Sequence, residues 1–125
     1  MNSVLEKLQF KGQSPILLLQ PPPEFAAIAA GFGVEVHKAN RGSYKFALVF
    51  VKSMGEAQII GRGMRRALEE GAVFWMAYPQ ETSKRYPGSD LNQGSGNAMM
   101  ENHGFTCVSM VVMDEDWSAT RFMKA

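Results

Sequence analysis

Thr82, Ser83, Lys84 and Arg85 set two hydroxyls and two cations side by side. That pattern suits a phosphate or a carboxylate, because charged donors and hydroxyls make short, charge-assisted hydrogen bonds to anionic oxygens. The segment follows "AVFWMAYP" (72–79), an apolar run that reads as a buried strand, with Tyr78 and Pro79 at its exit. Open α/β sheets hold their ligands beyond the carboxyl ends of parallel strands. Lys52 and Ser53 end the strand-like stretch "YKFALVFVKS" (44–53), and Gln20 ends "PILLLQ" (15–20), so all three exits fall on one edge of a parallel sheet. The candidate ligand-binding residues are therefore Gln20, Lys52, Ser53, Tyr78, Thr82, Ser83, Lys84 and Arg85, with an anionic small molecule as the expected ligand. The competing interpretation is a solvated basic loop, which is what most charge runs are.

Other reactive side chains form no such group. His37 and His103 are the only histidines and have no metal-ligand spacing; His103, just before Gly104, fits the carboxyl end of a helix dipole. Cys107 is the single cysteine, which excludes an intramolecular disulfide and a cysteine metal cage. It falls in a strand and reads as a small buried hydrophobe. "DEDW" (114–117) is expected to be a solvated hairpin turn. No catalytic residue and no metal site are assigned.

The elements that must position these residues follow from periodicity. "SVLEKLQF" (3–10) reads as helical turns, 15–20 as a strand, "EFAAIAA" (24–30) as a short helix and "VEVHKA" (34–39) as a second strand. "MGEAQIIGRGMRRALEEG" (54–71) is the clearest helix, with Ala57, Ile60, Met64, Ala67 and Leu68 on one face and Arg65–Glu69 and Arg66–Glu70 as i,i+4 pairs. A weaker helix spans 91–103. "FTCVSMVVM" and "SATRFMK", joined by "DEDW", predict an antiparallel hairpin. Buried strands alternating with helices imply an α/β, doubly wound, mostly parallel sheet with helices on both faces, in one domain over residues 1–125.

Hydrophobic residues make up 46% of the chain, enough for a real core, and the net charge of +1 argues against a general nucleic-acid footprint. The longest apolar runs are too short to cross a bilayer, and the N-terminus lacks a signal-peptide core. A cytoplasmic protein is expected.

The order of elements, with its terminal hairpin, resembles the methyltransferase variant of the Rossmann fold, in which the last strand folds back antiparallel into the sheet. That resemblance implies about six strands in the order 2-1-3-4-6-5. The segments "LEKLQFKGQSPILLLQPP", "VFWMAYPQETSKRY", "SDLN" and "DEDWSATRF" are also similar to a family of small bacterial proteins catalogued as a domain of unknown function. This second resemblance implies an architecture and no activity.

Rossmann-type proteins meet their cofactor at the turn after the first strand, where glycines expose backbone N–H donors. Here that turn is "QPPPEF", and Pro21, Pro22 and Pro23 carry no N–H. The second strand ends in His37, Lys38 and Asn40 rather than in a ribose-binding acid. No cofactor is expected. The sequence points to a non-catalytic binding or interaction domain, with an anionic small molecule or a protein as partner and no membrane. A small transferase-like enzyme acting on an anionic metabolite is the alternative, and a nucleic-acid accessory role using Lys84, Arg85 and the helix arginines is a third reading that the balanced charge argues against.

Overall fold

The computed structural model describes residues 3–124. Its centre is a pair of strands, β3 (Tyr44–Phe50) and β4 (Leu68–Pro79), running parallel with Phe46 opposite Val73 and Phe50 opposite Ala77. Over 46–50 and 72–79 both read as unbroken apolar runs because both of their faces are buried there. Ala47, Val49, Val51, Phe74, Met76 and Tyr78 face one layer; Phe46, Leu48, Phe50, Trp75 and Ala77 face the other.

The remaining strands extend this pair into a six-stranded sheet of order β2-β1-β3-β4-β6-β5. β1 (Ile16–Leu19) and β2 (Val36–His37) pair parallel on one side. β6 (Trp117–Lys124) pairs antiparallel with β4 and carries β5 (Phe105–Val112) at the far edge. The architecture and strand order are those expected from the sequence.

Helices cover both faces. α1 (Ser3–Lys7) and α2 (Ala26–Ala29, flanked by 3-10 turns at Pro23–Phe25 and Ala30–Phe32) lie over Ile16, Leu18 and Phe46. α3 (Met54–Ala67) and α4 (Gln93–Asn102) lie over Leu17, Val49 and Met76. α3 starts at Ser53, whose hydroxyl accepts from the Glu56 amide at 3.2 Å, and it buries Ala57, Gly61, Met64 and Ala67. Asn92 caps α4 in a reciprocal pair with Ser95, each side chain accepting from the other's amide at 3.0 Å.

One boundary differs from the sequence reading. The helical pattern runs to Gly71, but α3 ends at Ala67 and β4 begins at Leu68 without a loop. Leu68 is captured by Tyr44 in the sheet, and the extra residues up to Val73 are taken up by a register shift that includes Gly71 at φ 75°. Glu69 and Glu70 therefore stand on β4, not one helical turn beyond Arg65 and Arg66. β2 is also shorter than expected, two residues instead of six. The loop after it is held by the Tyr44 hydroxyl, which contacts His37 Nδ1 at 2.8 Å, accepts from the Arg41 amide at 2.9 Å and reaches the Ala39 carbonyl at 3.4 Å.

The buried Trp75 ties the first layer to the sheet, its indole N–H donating to the Leu8 carbonyl at 2.7 Å. Trp75→Phe removes that donor, leaves a carbonyl without its partner and shrinks a packed side chain. Urea unfolding should show a loss of about 2–4 kcal/mol with an unchanged denaturant slope.

Candidate functional site

The exits of β1, β3 and β4 do lie on one edge of the sheet, as parallel pairing requires. Residues 80–90 leave β4 there and fold back over the exits of the other two strands. Tyr86 is the contact point. Its hydroxyl donates to Glu24 Oε2 at 2.5 Å, and its ring packs on Trp117 at 5.0 Å between centroids. Lys52 Nζ sits 4.8 Å from the centroid of the same ring, a cation–π contact.

Glu24 is the hub of this arrangement. It follows the three prolines and also accepts from the Trp117 indole N–H at 3.1 Å. Arg85 stands 3.9 Å from Glu24 and 3.5 Å from Asp116. Ser83, buried, donates to Asp116 Oδ1 at 2.9 Å and accepts from the Tyr86 amide at 3.0 Å. Asp114 in turn shapes the hairpin, accepting from the amides of Asp116 and Trp117 at 2.8 Å each. The "DEDW" turn is thus a docking point for the 80–90 segment as well as a hairpin connection.

The electrostatics follow from these contacts. Burial by itself would raise the Glu24 carboxyl, but the hydrogen bonds from Tyr86, from its own backbone and from Trp117, with the Arg85 charge, hold it below its ordinary value. Burial and the bond to the Glu24 carboxylate push the Tyr86 phenol up to about 12. Burial also raises Tyr78, against a hydrogen bond with Thr120 at 3.3 Å.

The eight residues singled out from the sequence are divided by the fold. Ser53 serves as the α3 cap, Tyr78 is buried against Thr120, and Ser83 and Arg85 hold the 80–90 segment on Asp116. Gln20 is exposed, with φ 55° at the turn into the prolines. Thr82 and Lys84 face open space. Two adjoining grooves, of about 270 and 390 Å³, share Gln80 and Thr82 as lining; Lys84, Arg85, Glu115 and Asp116 complete the larger one. By contrast, the gap between the β1 exit and the hairpin, lined by Pro22, Glu24, Phe50 and Trp117, has only about 10 Å³ left. One water needs roughly 10–15 Å³ of such space, so the gap holds a single water at most.

Glu24, Tyr86, Asp116 and Trp117 are the site residues that sequence reasoning missed. Their only signals were a lone acid after "PPP" and a second tyrosine closing "YPQETSKRY". Nothing in the chain order links residue 24 to 86 and 117.

No family model matches the chain, and no curated protein is similar to it in sequence, so the resemblance to a small bacterial family rests on its segments alone. Solved structures do match. The CcbJ methyltransferase from Streptomyces caelestis superposes with a TM-score of 0.65 at 13% identity, over 98% of this chain and 88% of that one. A ribosomal protein L11 methylase from Lactobacillus delbrueckii subsp. bulgaricus gives 0.66 at 10% identity, over 98% and 75%. A TehB-like SAM-dependent methyltransferase from Corynebacterium glutamicum gives 0.58 at 8% identity, over 98% and 86%. The chain has a methyltransferase-like Rossmann fold. At these identities the likeness is one of fold.

Glu24 and Tyr86 lend themselves to a pH test. A carboxyl held below its unfolded value stabilises the fold at pH above about 4.5 and loses that contribution as pH falls through its folded value. A phenol raised to about 12 stabilises below pH 10 and loses its contribution between 10 and 12. Glu24→Gln should lower stability by about 1–2 kcal/mol at pH 7, and the gap to wild type should close on acidification below pH 4.5. In an alkaline absorbance titration, Tyr86→Phe should remove a phenolate step near pH 12.

Proposed function

We propose that the chain is a non-catalytic binding domain on a methyltransferase-like scaffold, with its cofactor crevice closed and its ligand surface moved to the open groove beside Thr82 and Lys84. The observation that carries this reading is the Tyr86–Glu24–Trp117 contact across the exits of β1 and β3, where scaffolds of this kind receive their ligands. The residues present do not fit S-adenosylmethionine or a dinucleotide. Pro21, Pro22 and Pro23 offer no N–H, the carboxylate of Glu24 is occupied by two donors from its own chain, and the remaining gap is about 10 Å³.

In the open groove, Thr82 presents a hydroxyl and Lys84 an ammonium, a pair suited to one carboxylate or phosphate of a small anion. Arg85 is shared with Glu24 and Asp116, so it contributes positive potential more than a free hydrogen-bonding fork. Glu81 and Glu115 on the rims select against a ligand with several negative charges. The transferase alternative draws on the fold of the neighbours and requires the 80–90 segment to leave the crevice.

Calorimetry with S-adenosylmethionine and with NAD separates the two readings. The expected result is no dissociation constant tighter than about 1 mM for either. A micromolar constant would restore the transferase reading and show that Tyr86 yields its place. For the groove, Lys84→Ala should shift the melting temperature by less than about 2 °C, because an exposed charge contributes little to stability.

A further inference from the structure

We infer that two copies of this chain associate through β5, their edge strands pairing antiparallel about a two-fold axis normal to the sheet. The two edges of the sheet are protected very differently. β2 is two residues long and is followed by Lys38, the usual way of blunting an edge. β5 is eight residues long, and from Gly104 to Met113 the sequence holds neither a charge nor a proline. Its outward N–H and C=O groups form a template on which Lys7 Nζ, donating to the Val112 carbonyl at 3.3 Å in an exposed bond that a pairing strand would displace, is the contact at the carboxyl end. A bulge between Cys107 and Ser109 leaves Ser109–Val112 as the regular part of that edge.

The apolar surface lies on the same strand. Val108, Met110 and Val112 are 44%, 42% and 48% exposed, three of the five large hydrophobic side chains that stand out among the described residues. Met110 and Val112 pair with Thr120 and Ser118, which places them on the face that carries α3 and α4. A two-fold axis normal to the sheet keeps that face on one side in both copies, so the four side chains meet as one strip. Parallel pairing would put them on opposite faces.

Charge selects the same arrangement. The carboxyl end of β5 runs into Asp114, Glu115 and Asp116. Its amino end lies beside Lys124, opposite Phe105, and Lys124 shares a groove with Arg62, Arg65, Arg66 and His103, where Glu70 is the one acid against four cations. In an antiparallel pair centred near Met110, each acidic turn comes beside the basic end of the other copy, within about one Debye length of 8–10 Å. Parallel pairing would stack acid on acid and base on base. A second copy thus matches this edge in backbone hydrogen bonding, in apolar surface and in charge. One strand pair with two charged ends is at the small end of stable interfaces, so the dissociation constant should be on the order of 1–100 µM. The inference is independent of what the groove beside Lys84 binds.

Sedimentation equilibrium between about 5 and 500 µM protein tests it. The wild type should pass from monomer to dimer over that range. Met110→Lys and Val112→Lys, both at exposed positions, should each weaken the dimer at least tenfold with unchanged circular dichroism. Glu115→Lys and Lys124→Glu should each weaken it, and the double charge swap should bring it back to within about threefold of wild type. A wild type that remains monomeric throughout overturns the inference, even if it captures an unrelated strand. So does a dimer indifferent to both lysine substitutions, or a double swap as weak as the single ones.

Discussion

The structure depends on the burial of β3 and β4 from both sides. A parallel pair of strands apolar at every residue over 46–50 and 72–79 cannot present either face to water there, so each face must be roofed. The side chains of 46–51 and 73–78 alternate between two layers, and each layer draws in its own helices: α1 and α2 over Phe46, Phe50 and Trp75, α3 and α4 over Val49, Phe74 and Met76. The crossover through α3 then requires β3 and β4 to end on the same edge, which is what brings Lys52 and Tyr78 near each other. β6 pairs against β4 in the opposite sense, and the hairpin turn is thereby delivered to the same edge as the β1, β3 and β4 exits.

At that edge a second constraint operates. The prolines after β1 remove the donors that usually greet a cofactor, and the first residue past them to carry a charge is Glu24. A half-buried carboxylate needs donors, and it finds them in Tyr86 and Trp117, which belong to two other loops. Arg85 and Asp116 complete a run of alternating charges across the closed crevice. At the strand exit that holds three prolines, the protein's own tyrosine packs on Trp117 and donates to the carboxylate that follows them.

The same geometry separates two kinds of polar residue within one short loop. Ser83 points back to the hairpin and holds the segment down, Thr82 and Lys84 line the open groove, and Arg85 does both, pairing with Asp116 while it lines that groove. The segment is a run of turns and bends, closed at its start by the Ser83 amide donating to the Gln80 carbonyl at 3.0 Å, and this sends neighbouring side chains in different directions. A cluster that looks in the sequence like a single four-residue anion clamp is, in three dimensions, part fastening and part surface.

Much of the fold was legible in the chain. The unbroken apolar runs at 46–51 and 72–78, the amphipathic 54–67 stretch and the hairpin at 105–124 marked the sheet, its helices and its antiparallel end, because burial on one or two faces writes a period into the residues. Helix and strand limits were less legible. Residues 68–71 fit a helix locally, and only pairing of Leu68 with Tyr44 turned them into strand. The Tyr86–Glu24–Trp117 contact was not legible at all. It depends on residues 24, 86 and 117 meeting, and hydrogen bonds among side chains so far apart in sequence leave no local pattern. The amino-acid sequence by itself determined which segments are apolar on which faces and which turn lacks donors; only the tertiary structure decided what stands in that turn's place, because only packing brings three distant loops to one carboxylate.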